Sequence, residues 1–192
     1  MKKVGIIVTA LACVGLVCGI FYFVYQKNQP SADGNTELTE VQKLIAKDLD
    51  TKYPATPREV VKLYNRIVEC FYSRNYTDEE LDKLADQMLY LFDDELAANN
   101  PKNTYIDSVK ADADAYEKES KTISQVSVCD SNDILYKTVD GDDVAYVNVS
   151  YFIKEDKNYV KTYQTFVLRK DKDERWKILV FYQTEDPNAE ED

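Results

Sequence analysis

Val4 to Tyr25 is a run of 22 residues without a charged side chain, and it constrains whatever follows it. At about 1.5 Å per residue, a helix of that length spans roughly 33 Å, enough to cross a hydrocarbon core of about 30 Å. A helix also satisfies its own backbone polar groups in lipid. Lys2 and Lys3 precede the run and only Lys27 follows it closely. That asymmetry predicts a cytoplasmic amino terminus and an extracytoplasmic remainder. Phe21, Tyr22, Phe23 and Tyr25 crowd the outer end, where aromatic rings favour the headgroup region. A cleaved signal peptide has an apolar region of about 7–15 residues that ends in small residues. This run is longer and ends in bulky rings, so residues 1–26 read as a retained transmembrane anchor in contact with membrane lipid. Ala10 stands where a lipid-attachment box around Cys13 would place leucine. Gly15 and Gly19 form a G-x-x-x-G, a candidate contact between two membrane helices.

Beyond the anchor the chain is strongly acidic. All 35 acidic residues lie there against 22 of the 24 basic ones, a net charge of −13. Such a surface repels phosphate backbones and argues against nucleic acid as a partner. Histidine is absent. That excludes histidine-based triads and histidine-ligated zinc sites. Cys70 and Cys129 are the cysteines outside the anchor, and both fall in apolar periodic segments. They read as buried free thiols in preference to a bridge.

Residues 27–37 read as a polar linker. Leu38, Val41, Leu44, Ile45 and Leu49 then recur at helical spacing. Thr56-Pro57-Arg58-Glu59 is a capping box with proline at the first helical position, opening a helix to about Arg74. Thr77 to Glu80 repeats the box and opens a helix that Asn99-Asn100-Pro101 breaks. Asn103 or Thr104 is placed to cap a third, with Tyr105, Ile106, Val109, Ala113 and Tyr116 inward. After Ser120 the period becomes that of strands. Strands are expected near 121–129 and over 144–154, 159–170 and 175–184, with a strand or ordered loop at 134–139. Asp140-Gly141 and Asp156-Lys157-Asn158 mark turns, and turns this short require antiparallel pairing. Residues 185–192 read as an acidic disordered tail. The predicted class is α+β, an amino-terminal transmembrane helix followed by a cone-like domain over 38–184, with about three helices on a curved antiparallel sheet.

Arg175-Trp176-Lys177-Ile178, following a charged hairpin and the apolar Thr165-Phe166-Val167-Leu168, resembles the nuclear transport factor 2-like superfamily. The resemblance extends over about Pro54 to Thr184. That superfamily includes ketosteroid isomerase and polyketide-cyclase-like enzymes. With the anchor, the whole chain also resembles a family of single-pass bacterial membrane proteins. The superfamily resemblance implies a pocket between the helices and a concave sheet, where its enzymes place Asp, His or Tyr. The isomerase pattern does not map onto this chain, so no catalytic residue is carried over.

Tyr146, Asn148, Tyr163 and Gln164 are the ligand-pocket candidates, polar-tipped residues within apolar strands. Facing inward they need partners, and a ligand could be one; facing outward they are ordinary strand formers. Asp130-Ser131-Asn132-Asp133 opens like a calcium loop. Ile134 and Leu135 then occupy the positions of an oxygen ligand and the turn glycine, so no metal is expected, and no cofactor. The last strand is apolar on both faces, and the face bearing Leu179 and Phe181 is expected to lie exposed as an interface, as in a homodimer through the sheet. Together these features predict a non-enzymatic, membrane-anchored, extracytoplasmic interaction or ligand-binding module. A scaffold subunit of a cell-envelope or conjugation-type assembly is the alternative, and an isomerase- or dehydratase-like enzyme the third reading.

Overall fold

The computed structural model describes residues 37–186. The anchor Val4–Tyr25 with Gly15 and Gly19, nearly all of the linker, and the tail from residue 187 lie outside the described residues. Among the described residues no helix is long and apolar enough to cross a membrane.

Helices come first, each begun by its own sequence. Thr39 caps α1 (Glu40–Ile45), Thr56 caps α2 (Pro57–Ser73) and Thr77 caps α3 (Asp78–Tyr90), each in a reciprocal capping box with Gln42, Glu59 and Glu80 respectively. Leu38 lies before the first cap and is exposed, not part of the helix face. The helix expected to run to Asn99 breaks earlier. At Leu91–Asp93 the backbone leaves the helix and bonds to the last strand: the Ile178 N–H donates to the Leu91 carbonyl and the Asp93 N–H to the Ile178 carbonyl, both at 2.8 Å. Asp93 then caps a separate short helix, α4 (Asp94–Asn99). The final helix, α5 (Lys102–Lys118), starts directly after Pro101 without a side-chain cap, ahead of Asn103 and Thr104.

The sheet is antiparallel. Strand β3 (Asp142–Glu155) pairs along one edge with both β1 (Lys121–Val128) and β2 (Leu135–Val139), and along the other with β4 (Asn158–Lys170), which pairs with β5 (Trp176–Thr184). The β2–β3 turn places Asp140 and Gly141 at φ 52° and 96°, the left-handed values that a two-residue hairpin matched to strand twist requires. Two bulges interrupt the ladders, at Ser124 in β1 and at Leu179 in β5. Bulges bend a strand and increase its twist.

One sheet face is buried. Ala145, Val147, Val149 and Tyr151 of β3, Phe166 and Leu168 of β4 and Ile178 of β5 meet Val60, Ile67 and Phe71 of α2 and Leu84 and Met88 of α3 in a continuous core. Each buried Val, Leu, Ile, Phe or Met among them stabilises the fold by roughly 1.5–3 kcal/mol. The bulge corrects the expectation for β5. Ile178 pairs with Leu168 but Val180 with Val167, so Leu179 is an extra residue and the inward-outward phase reverses across it. Phe181 therefore turns inward, stacked on Phe166 with centroids 5.3 Å apart, and Leu179 is half-buried. Val180 and Tyr182 face outward instead and are 42% and 46% exposed.

Candidate ligand pocket

Helix α5 packs less deeply than the other long helices. Of its inward residues only Ala113 is buried, while Tyr105, Ile106, Val109 and Tyr116 are half-buried. The space they leave is a cavity of about 390 Å³ between α2, α5 and the inner sheet face. From α2 come Tyr64, Val68, Phe71 and Tyr72, spaced as one helical face. From α5 come Tyr105, Ser108, Val109, Asp112 and Tyr116, again one face. The sheet supplies Ile123, Tyr151, Ile153, Thr162, Gln164 and Phe181. The volume falls in the range of small-molecule sites, and the wall mixes apolar side chains and tyrosine rings with the polar Asn100, Ser108, Asp112, Thr162 and Gln164.

The rings are mutually braced. Tyr64 meets Phe181 at 5.5 Å and Phe166 at 5.0 Å, Phe71 meets Tyr105 at 6.3 Å, and Tyr72 meets Tyr116 at 4.4 Å between centroids. At the sheet wall the Tyr151 hydroxyl donates to Asn65 Oδ1 at 2.7 Å, and Asn65 Nδ2 donates to the Val61 carbonyl at 2.8 Å. Both residues are buried, so this pair anchors a strand side chain to α2. Burial pushes the phenol of Tyr72 up to about 12 and also raises those of Tyr64, Tyr105 and Tyr151 well above their ordinary value. All four are neutral donors at neutral pH. No buried side-chain nitrogen or oxygen lacks a hydrogen-bond partner among the described residues.

A second depression, about 500 Å³ and more open, lies where α3, α4 and the β4–β5 turn meet. Two of its cations, Arg169 and Lys177, are held by protein groups. Arg169 binds Asp93 through two hydrogen bonds, at 2.7 and 3.2 Å, and reaches Glu95 at 2.7 Å. Lys177 donates to the Tyr90 carbonyl at 2.6 Å, and its ammonium lies 4.2 Å from the Tyr90 ring centroid and 4.6 Å from that of Tyr53. This depression is a structural junction between sheet and helices. Among the described residues no cluster of Cys, Asp and Glu is placed to hold a metal ion. Cys70 and Cys129 are free thiols, and burial pushes Cys70 up to about 11.

Of the ligand-pocket candidates singled out from the sequence, Gln164 lines the cavity, and Phe181, expected at an interface, lines it too. Tyr146, Asn148 and Tyr163 do not, because they stand on the opposite sheet face. There Lys137 sits over the Tyr146 ring, Asn148 Oδ1 accepts from Thr165 at 2.8 Å, and Tyr163 donates to Asp186. Sequence reasoning missed Tyr72 as a wall residue and took Tyr64, Tyr105 and Tyr116 as ordinary helix packing. The available signal was aromatic crowding on two separate helix faces, Tyr64, Phe71 and Tyr72 on one and Tyr105 and Tyr116 on the other.

No curated protein matches this sequence. One family model, described as "Domain of unknown function (DUF6715)", matches residues 1–181. A match over nearly the whole length makes the chain a member of the DUF6715 family.

Proposed function

We propose that the chain is a membrane-anchored, extracytoplasmic ligand-binding module of the nuclear transport factor 2-like cone type, without catalytic activity of its own. The observation that carries this reading is the tyrosine-walled cavity between α2, α5 and the sheet. The absence of activity rests on the cavity's chemistry. An isomerase or dehydratase needs a carboxylate raised in pKa inside an apolar pocket. Asp112 is the carboxylate among the lining residues, and it is exposed. The anchor and its orientation rest on Val4–Tyr25 and the flanking lysines. The test is a thermal-shift screen of the detergent-solubilised full chain against small apolar compounds, repeated on Val109→Trp, which fills the cavity from α5. Hits should stabilise the natural protein and not the variant; stabilisation that survives the filling places the ligand elsewhere. Protease added to intact cells should remove the carboxy-terminal domain. Protection until lysis would reverse the topology.

A second reading, an interaction or envelope-scaffold surface, rests on the outer sheet face, where Leu135, Val180 and Tyr182 are 50%, 42% and 46% exposed. It replaces the expected Leu179–Phe181 surface with the residues that the bulge turns outward. Val180→Glu should lower the association state seen by sedimentation. A natural protein already monomeric at high concentration removes the homodimer.

A further inference from the structure

The geometry points to an organic cation, an amine or quaternary ammonium with an apolar body, as the class of ligand that the cavity takes. This inference rests on the ligand-binding reading above and adds the charge of what is bound. Five lining residues, Tyr64, Tyr72, Tyr105, Tyr116 and Tyr151, carry phenol rings, whose faces are electron-rich. The quadrupole of such faces attracts a cation within about 6 Å and offers nothing comparable to an anion. The charged side chain among the lining residues is Asp112, and none of the lining residues is Lys or Arg. An anionic ligand would therefore enter against a carboxylate, with no positive group to receive it.

Asp112 acts on the rings. Burial does most to raise the phenols of Tyr72, Tyr105 and Tyr116, and the Asp112 charge adds to it at each, opposed at Tyr116 by Lys121, which places Asp112 within electrostatic reach of all three. Nearby positive charge is already committed. Arg74 and Lys121 border a separate depression behind Tyr72 and Tyr116, and each is tied to two carboxylates: Arg74 to Asp114 and Glu117, Lys121 to Glu119 and Glu155. The same domain shows how its tyrosines receive an ammonium. Lys177 is held against the rings of Tyr53 and Tyr90 at 4.6 and 4.2 Å with a carbonyl completing its shell. The ligand cavity repeats the ring element on a larger scale, with Gln164 and the phenol oxygens as acceptors and Asp112 as the counter-charge.

The test compares choline with its neutral carbon isostere, neohexyl alcohol, and with the tert-butylacetate anion. Tyrosine ring resonances of the full chain are followed by NMR in neutral detergent micelles. Choline should shift the Tyr72 and Tyr116 rings with a Kd about tenfold lower than the alcohol's. Asp112→Asn, on an exposed helix position, should weaken choline several-fold and leave the alcohol unchanged. Equal binding of choline and the alcohol, or tighter binding of the anion, overturns the cation preference while the pocket reading stands. If none of the three shifts these rings, both fail. Choline binding that Asp112→Asn and Tyr116→Ala leave unchanged places the cation on the acidic outer surface and also overturns the inference.

Discussion

Replacing Tyr151 by Phe removes one oxygen atom and tests how the pocket wall is held. The Tyr151 hydroxyl donates to Asn65 Oδ1 at 2.7 Å, and Asn65 is only 3% exposed. A typical buried hydrogen bond contributes about 1 kcal/mol net, but an acceptor left buried without its partner costs about 1–3 kcal/mol. The remaining Asn65 bond, Nδ2 to the Val61 carbonyl at 2.8 Å, keeps the amide from turning its oxygen elsewhere. We therefore expect Tyr151→Phe to destabilise the domain by about 2 kcal/mol, a fall in Tm of about 4–8 °C at this size. Asn65→Leu removes the stranded acceptor. The double variant should consequently be less destabilised than the two single changes summed, with a coupling of about 1 kcal/mol. Urea unfolding of the full chain followed through Trp176, the only tryptophan and a core residue, reads all four proteins. A Tyr151→Phe loss below about 0.5 kcal/mol, or strict additivity, would mean that water from the cavity replaces the bond and that the wall is not held this way.

Three further outcomes follow from the geometry. Asp93→Ala removes a buried carboxylate that both caps α4 and binds Arg169, and should cost about 3 kcal/mol in urea unfolding, while Glu95→Ala, at the exposed end of the same cluster, should cost under about 1 kcal/mol. Ile178→Ala empties a fully buried site at the strand that receives Phe92, for about 2–5 kcal/mol in the same assay. Alkaline stability is set by the buried phenols. The folded pKa values of Tyr64, Tyr105 and Tyr151 lie above the unfolded value near 10, so their contribution is complete below about pH 10 and is lost as pH rises through the folded values. Lys177, lowered by burial, acts in the opposite sense but is one group against three. Phenolate absorbance should therefore rise in two phases, the exposed tyrosines first and the buried ones together with loss of helical circular dichroism. A single phase without unfolding contradicts the burial.

Local chemistry carried most of the fold. The Thr56 and Thr77 boxes, the alternation through Val147 and Val149 and the Asp140-Gly141 turn are each written within a few residues. The break at Leu91–Asp93 is not, because its cause is Ile178, which donates and accepts across the fold; nearby residues give no sign of it. The Leu179 bulge was hidden for a different reason. Ile178 through Phe181 are all apolar, so hydrophobicity reads the same in either phase. For the pocket, strand geometry already allowed only one of the neighbours Tyr163 and Gln164 to face inward. Which face was concave, and that α5 stands away from it, depends on packing between distant segments.

The bulge carries a consequence for how this chain can vary. Nine residues of β5 run beside Tyr163 to Lys170 of β4, and Leu179 is the surplus position. Removing the Leu179 codon would turn the bulge into regular strand with Val180 still opposite Val167 and Phe181 still opposite Phe166, so the cavity wall and the outer surface would keep their residues while the local twist is lost. The chain can therefore shed the surplus residue here more readily than it can shed the ring of Phe181, which stacks on Phe166.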